Sequence, residues 1–288
     1  MNIIDPAREL VARAVRSRVV GPDPDQRARE LFEAPGERWF AEDRPIRIVH
    51  SDTSMFVGGL RALLLQSLHP LAMAGVAQHS DYRHDPWGRL QRTADFLAAT
   101  TFGPAGESQR AIDMVRKVHE RVTGTARDGR PYEANDPHLL KWVHIAEVDS
   151  FLTAHDRYGD VHLTDEQRDG YIADMARIAS ALGVIDPPRS VAELHDQLRS
   201  YRPELRSSPE ARDAAKYLLF SAPLPAVARP AYGLLSAAAI SLLPVWARIP
   251  LLLPWLPVSE RVLVQPAGRV LVTTLRWAMA PSAPFTRA

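Results

Sequence analysis

The sequence contains no cysteine, which excludes disulfides, thiolate metal sites and cysteine nucleophiles together. It has no surplus of either charge. Its 35 Lys and Arg face 34 Asp and Glu, a formal net of +1, so bulk electrostatics does not call for nucleic acid as a partner. Glycine-built phosphate sites are missing as well: there is no Gly-x-Gly-x-x-Gly and no phosphate-binding loop, nor is there a Gly-x-Ser-x-Gly elbow or a His-Glu-x-x-His. Those gaps remove the common nucleotide enzymes, hydrolases and zinc proteases. No apolar run reaches the roughly 20 residues of a membrane-crossing helix. Met1–Pro6 lacks a basic stretch followed by an apolar one, so a signal peptide is not expected and the cytoplasm is the expected compartment.

What is present suits one large core. The 288 residues are 46% hydrophobic and 24% charged, enough to fill an interior and keep the surface wetted. Helical signals recur, whereas alternating β-branched runs between turn residues do not. The expected fold is therefore all-α, a single helical domain over residues 1–288.

An amphipathic helix is expected over 5–20, broken at Gly21-Pro22-Asp23-Pro24, and a second over 27–32. The stretch from Trp39 to Ser51 is ambiguous. Met55–Gln66 is apolar nearly all round, the mark of a buried helix. Three helices follow: from Asp85-Pro86-Trp87-Gly88 through Ala99, from Glu107 to Val122, and from Asn135 or Asp136 as N-cap with Pro137 at the first helical position to Tyr158. Thr164 and Gln167 have capping-box spacing for a helix that ends at Leu182-Gly183. Two more fit 190–200 and 208–220.

The last third, about 215–288, is apolar and proline-rich. Pro223, Pro225, Pro230, Pro244, Pro250, Pro254 and Pro257 punctuate residues 223–257. Two readings stay open: short buried helices joined at prolines, or a surface facing lipid or an apolar substrate. The second extends to peripheral contact at the inner face of a membrane through residues 223–257.

Ten histidines without cysteine direct the search for chemistry. His138, His155, His162 and His195 read as solvated. His69 precedes Pro70 at the end of the buried helix, where it can bond the free carbonyls of the last turn. His119 continues the stripe of Ile112 and Val115 toward Val122, so it faces inward, either as a satisfied core histidine or as a ligand. Leu140, His144, Glu147 and Phe151 share one face of the third helix. His144 and Glu147 can pair with each other or with an inward arginine. A di-iron centre would need Glu-x-x-His on two helices, and the sequence has none. Arg89, Arg92 and Thr93 share a helix face, suited to binding an anion or polarising oxygen, or to ordinary ion pairing with Asp85 or Asp95.

Taken in order, these segments resemble the catalytic domain of the rubber oxygenases, a family that includes the oxygenase of fungal mycophenolic acid biosynthesis. The likeness is carried by Leu63-Leu64-Leu65-Gln66-Ser67-Leu68-His69-Pro70, His79-Ser80, Asp85 through Thr93, Val118-His119-Glu120-Arg121-Val122, and Asn135-Asp136-Pro137 through Trp142-Val143-His144. It spans about residues 40–180 and fades beyond. The resemblance implies a globin-like helical core holding haem b, an iron cofactor, through one axial histidine. By motif position His119 looks like that metal ligand, Arg89 like the distal arginine and Thr93 like the distal threonine. Arg92 falls where the rubber enzymes carry a lysine; a guanidinium is a poor iron ligand but can donate hydrogen bonds toward the sixth position. His144, Glu147 and His69 are the further cofactor-binding candidates. The implied function is a haem-dependent oxygenase acting with dioxygen on an apolar substrate, isoprenoids among the candidates. A non-catalytic lipid- or partner-binding protein of the same fold is the alternative.

Overall fold

A computed structural model describes residues 23–280 together with Arg8, Ala12, Arg18 and Val19. The helix expected over 5–20 lies outside the described residues, those four excepted. Among the described residues 69% are helical, and there are two short strands.

Helices α1 (Pro24–Phe32) and α2 (Pro45–Ser51) lead into α3 (Met55–Gln66). The ambiguous stretch before Ser51 is thus bends and a turn closed by the Arg44 amide on the Ala41 carbonyl, and helical from Pro45, which takes the first helical position. After Ser67-Leu68-His69, α4 (Pro70–His79) departs from α3 at 106°. Then come α5 (Pro86–Phe102) and α6 (Ala105–His119), which fold back on each other around Gly103-Pro104. Strands β1 (Thr123–Thr125) and β2 (Pro131–Glu133) form an antiparallel hairpin with Gly124 opposite Tyr132. Helix α7 (Pro137–Tyr158) is the longest, capped by the Asp136 carboxylate on the His138 amide. Helix α8 (Asp165–Leu182) has the complete Thr164–Gln167 capping box and ends on Gly183 at φ 108°, a left-handed turn that glycine adopts without penalty. Helices α9 (Val191–Tyr201), α10 (Pro209–Phe220), α11 (Arg229–Leu242) and α12 (Gln265–Met279) follow, with a short turn at Val245–Arg248 and a π-helical turn at Glu260–Val264.

The core is built on α3 against α7. Their backbones close to the point where a Cβ on Gly58 would sit 3.1 Å from Phe151 Cα and 3.2 Å from the Ser150 carbonyl, so only glycine permits this approach. Val57, Leu64, Leu65, Trp142, Ile145 and Val148 are shut off from solvent around it. Arg61, in the middle of the apolar α3, is buried. It pairs with Asp149 at 2.7 Å and donates to Ser150 Oγ at 2.6 Å and to the Leu242 carbonyl at 3.0 Å. One guanidinium thereby joins α3, α7 and α11.

The proline-rich segment divides by face. Ala238, Ala239, Leu243, Ala247 and Leu251 are core. Arg248, also buried, pairs with Glu260 at 2.6 Å and donates to the carbonyls of Ser241 and Leu243, holding the turns after Pro244 and Pro254 together. Arg276 ties α12 back to Asp52 at 2.8 Å and to the Tyr158 carbonyl. Outward, Leu252, Trp255, Val258 and Leu263 stay exposed. Among the described residues no single helix is long and apolar enough to cross a membrane. The bent pair α3–α4 reaches that composition only jointly, and α3 is largely core.

Candidate functional site

Arg89 and His119 meet through the geometry of one helical hairpin. Arg89 lies 14 residues before the Gly103 turn and His119 16 after it, so at about 1.5 Å per residue both reach the same end of the α5–α6 pair. His119 closes α6. Behind it Ile112 is buried and Val115 half-buried, while Met114 and Val118 on the other face are exposed, so the inward stripe is real. The stripe ends there, because Val122, expected on the same helix, leads instead into the β-hairpin.

His119 is half-buried; Nδ1 is wholly buried without a well-formed hydrogen bond among the described residues, and the Asn135 side chain lies against the ring. Burial holds its pKa below the usual histidine range, opposed by the neighbouring Asn135 amide. Asn135 donates to the Arg116 carbonyl at 3.2 Å, and its own Oδ1 is buried without a partner. A buried ring N–H donor and a buried amide acceptor, both unspent, are the pair with which proteins orient a ligating histidine. The sequence reading had considered Asn135 only as a helix cap, a role that Asp136 takes.

Arg89 is half-buried and makes no hydrogen bond or ion pair among the described residues. It lies over the Tyr82 ring at 5.9 Å, and burial lowers its pKa, with Arg92 adding to that and Tyr82 opposing it. A desolvated guanidinium without an anion is costly and marks a place for one. Arg92 differs. It is exposed and paired with Asp85 at 3.1 Å, the ordinary alternative read from sequence. Thr93 is exposed and its hydroxyl donates to the Arg89 carbonyl at 3.0 Å. The Arg89–Arg92–Thr93 face is therefore one half-buried cation beside two solvated groups.

His144 is buried with Nε2 unpartnered, and burial pushes its pKa down to about 3. Glu147, one turn on, is half-buried, makes no hydrogen bond or ion pair, and is pushed by burial up to about 7. The expected pairing of His144 with Glu147, or of either with an arginine, is not formed: Arg61, the inward arginine nearby, is spent on Asp149. The Glu147 charge is felt by the buried Tyr171 hydroxyl, which His50 Nε2 meets at 3.3 Å, while His50 Nδ1 meets Thr101 Oγ1 at 2.8 Å. Among the described residues no hydrogen bond, ion pair or ring contact links this group to His119 or Arg89.

His69 stands apart from both groups. It does not bond the carbonyls of α3 but caps the start of α4, Nδ1 accepting the Ala72 amide at 3.5 Å, and its ring packs on Trp142, His138 and Tyr201. His155, read as solvated, is buried with both ring nitrogens unpartnered, because the last turns of α7 are covered by α12. His162 and His195 are exposed as expected.

These groups set a pH dependence for the cofactor-free protein. The folded chain keeps a proton on Glu147 that the unfolded chain releases above about 4.5, so this residue costs stability as pH rises from about 4.5 to about 7. His50 and His144, both lowered to about 3, act the other way. The unfolded chain takes up protons below 6.5 that the folded chain refuses, and their contribution is lost as pH falls from 6.5 toward 3. Glu147→Gln is expected to stabilise the apoprotein by up to about 3 kcal/mol at pH 8 and hardly at all at pH 4. Equal denaturation midpoints for variant and wild type at pH 8 would count against this account.

The residues at the end of the α5–α6 hairpin fit a haem. They offer an imidazole with only the Asn135 side chain against its ring, an acceptor for its N–H, and a cation unpaired among the described residues. No curated protein and no solved structure matches the chain. The family described as ER-bound oxygenase mpaB/B'/Rubber oxygenase, catalytic domain, matches residues 46–277, from within α2 almost to the end of α12. That span holds every residue of the site, and the chain belongs to this family of oxygenase catalytic domains.

Proposed function

We propose that the chain is a haem b-dependent oxygenase of an apolar substrate, with His119 as the residue that would hold its iron. The observation that carries this is His119 itself, inward-facing and desolvated with only the Asn135 side chain against its ring, at the same end of a hairpin as Arg89, which is unpaired among the described residues. When bound, haem supplies the redox chemistry by which dioxygen is reduced and oxygen is transferred to carbon. The protein's part is positional and electrostatic. Asn135 Oδ1 accepts the His119 Nδ1 proton and leaves Nε2 as the ligating atom. Arg89 donates hydrogen bonds to negative charge developing on the reacting oxygen. Arg92, held by Asp85, and the exposed Thr93 are auxiliary. Glu147, titrating near neutrality, holds or releases a proton at its carboxyl oxygen, and His144 remains a neutral wall.

In haem-loaded protein, Arg89→Leu is expected to lower alkene-dependent oxygen consumption about 10²–10³-fold while the Soret band persists. Wild-type turnover in that variant would remove Arg89 from the mechanism.

The apolar outer face supports peripheral contact with a lipid surface as the way an apolar substrate is reached. Leu252 is 77% exposed, Trp255 57% and Val258 77%, and Leu252 is held at φ 57°, a strained backbone for leucine that turns its side chain outward. Arg261, exposed and without an ion pair, flanks them as a cation suited to anionic headgroups. The patch continues past residue 257 to Leu263, further than the prolines suggested. Wild-type chain is expected to sediment with phosphatidylserine-containing vesicles and Leu252→Asp/Trp255→Ser to stay in solution. Wild-type protein left in the supernatant would contradict it.

A further inference from the structure

Away from the His119 region, three ligand-bearing side chains from three parts of the chain converge. His69 caps α4, His138 lies in the first turn of α7, and Glu204 lies just past α9. One ligand atom from each falls within 4.8 Å of the others. His138 Nε2 is 2.9 Å and 3.0 Å from the two Glu204 oxygens, and His69 Nε2 is 3.5 Å from the nearer one.

The hydrogen bonds around the cluster leave a deficit of positive charge at its centre. Tyr201 has one hydroxyl proton and gives it to the His138 carbonyl at 2.8 Å, so at 3.1 Å its oxygen accepts from His138 Nδ1–H. That fixes the tautomer of a neutral His138 and turns the Nε2 lone pair toward the two carboxylate oxygens. Facing acceptors 2.9 Å apart need something positive between them, either a proton that makes His138 an imidazolium or a bound cation. His69, only 1% exposed, presents to the same point a buried Nε2 whose one approach is the 3.5 Å contact with Glu204, too long for a well-formed hydrogen bond.

We propose that His69, His138 and Glu204 bind a divalent cation of the zinc class, separate from the haem site. Two imidazoles and a carboxylate are a recurring three-ligand set for such ions. Atoms bonded at about 2.0–2.1 Å in a tetrahedral arrangement lie roughly 3.3–3.4 Å apart, close to the spacings here. His138 and the Glu204 carboxyl are half open to solvent, so the fourth position belongs to water or a ligand. Tyr201 supplies the outer hydrogen bond that orients a ligating histidine. Besides His138, the cation felt by His69 is Arg130, which is held by Asp128 at 2.8 Å. One adjustment is required: His69 Nδ1 must carry the ring proton, so it gives up the 3.5 Å approach of the Ala72 amide, a contact at the limit of hydrogen bonding. The ion would clamp the starts of α4 and α7 to the end of α9.

The test is a calorimetric titration of the full, chelator-stripped chain with zinc chloride. The expected result is one zinc per chain and a rise in Tm with zinc. Tyr201→Phe should weaken binding about 10–100-fold, and His138→Ala or Glu204→Gln, at solvent-exposed positions that the fold tolerates, should weaken it further. Absence of saturable zinc binding to folded wild type overturns the proposal, and so does binding that both ligand variants leave unchanged.

Discussion

His119→Gly is expected to abolish stoichiometric haem uptake, and millimolar imidazole to restore it. The expectation follows from the position of the residue rather than from its type. Ten histidines are available, and most are already spent or solvated. His50 is held by Thr101 and Tyr171, His79 by the Thr123 carbonyl at 3.0 Å, His84 by Asp81, and His138 by Glu204. His119 is inward-facing and half-open, with only the Asn135 side chain against its ring, and beside it lies a buried acceptor for its N–H. Removing its ring leaves the cavity walls and Arg89 intact, so the glycine variant should fold as wild type does. Free imidazole can then enter the vacated volume and ligate in its place. The readout is the Soret band of the variant with and without imidazole, alongside its unfolding midpoint. A glycine variant that binds haem as wild type does, with an unchanged spectrum, assigns the axial position to another residue.

The largest effect on stability is expected at Arg61. Arg61→Ala strands the Asp149 carboxylate, which is 13% exposed, beside the core, and leaves Ser150 Oγ and the Leu242 carbonyl without a donor. Breaking a buried pair from one side costs about 3–5 kcal/mol, a large share of the roughly 5–15 kcal/mol that separates folded from unfolded domains. The loss should lower Tm by roughly 10 °C. The double variant Arg61→Met/Asp149→Leu removes both charges and should recover most of it, since apolar replacement of a whole buried pair is often close to neutral. If the double variant is as unstable as the single one, the cost comes from lost packing among α3, α7 and α11 rather than from an orphaned charge.

What the sequence disclosed and what it withheld follow the range of the forces involved. Met55–Gln66, the Pro137 start of α7, the Thr164–Gln167 box and the Gly183 stop are written in residues within one turn of one another, and the structure forms each of them. Helix α4 went unread because Pro70 starts it only three residues after α3 and its residues carry no amphipathic rhythm. The hairpin went unread because three-residue strands are too short to alternate. The inward face of His119 was legible from periodicity. Its meeting with Asn135, and the separation of Arg89 from Arg92, depend on how α5, α6 and α7 pack, which no local pattern records. Arg61 looked like an interruption of an apolar helix, and only the tertiary fold supplies Asp149. Glu204 lies 66 residues beyond His138, so no spacing rule could have joined them.

The account rests on His119 facing a haem pocket, and titration of the purified wild-type chain with hemin tests that most directly. The expected result is a Soret band that saturates at one haem per chain and sharpens on reduction, as for a histidine-ligated iron. A chain that is purified colourless, remains folded and shows no saturable Soret band would contradict it, and would favour a helical binding protein that keeps the family's fold without its cofactor.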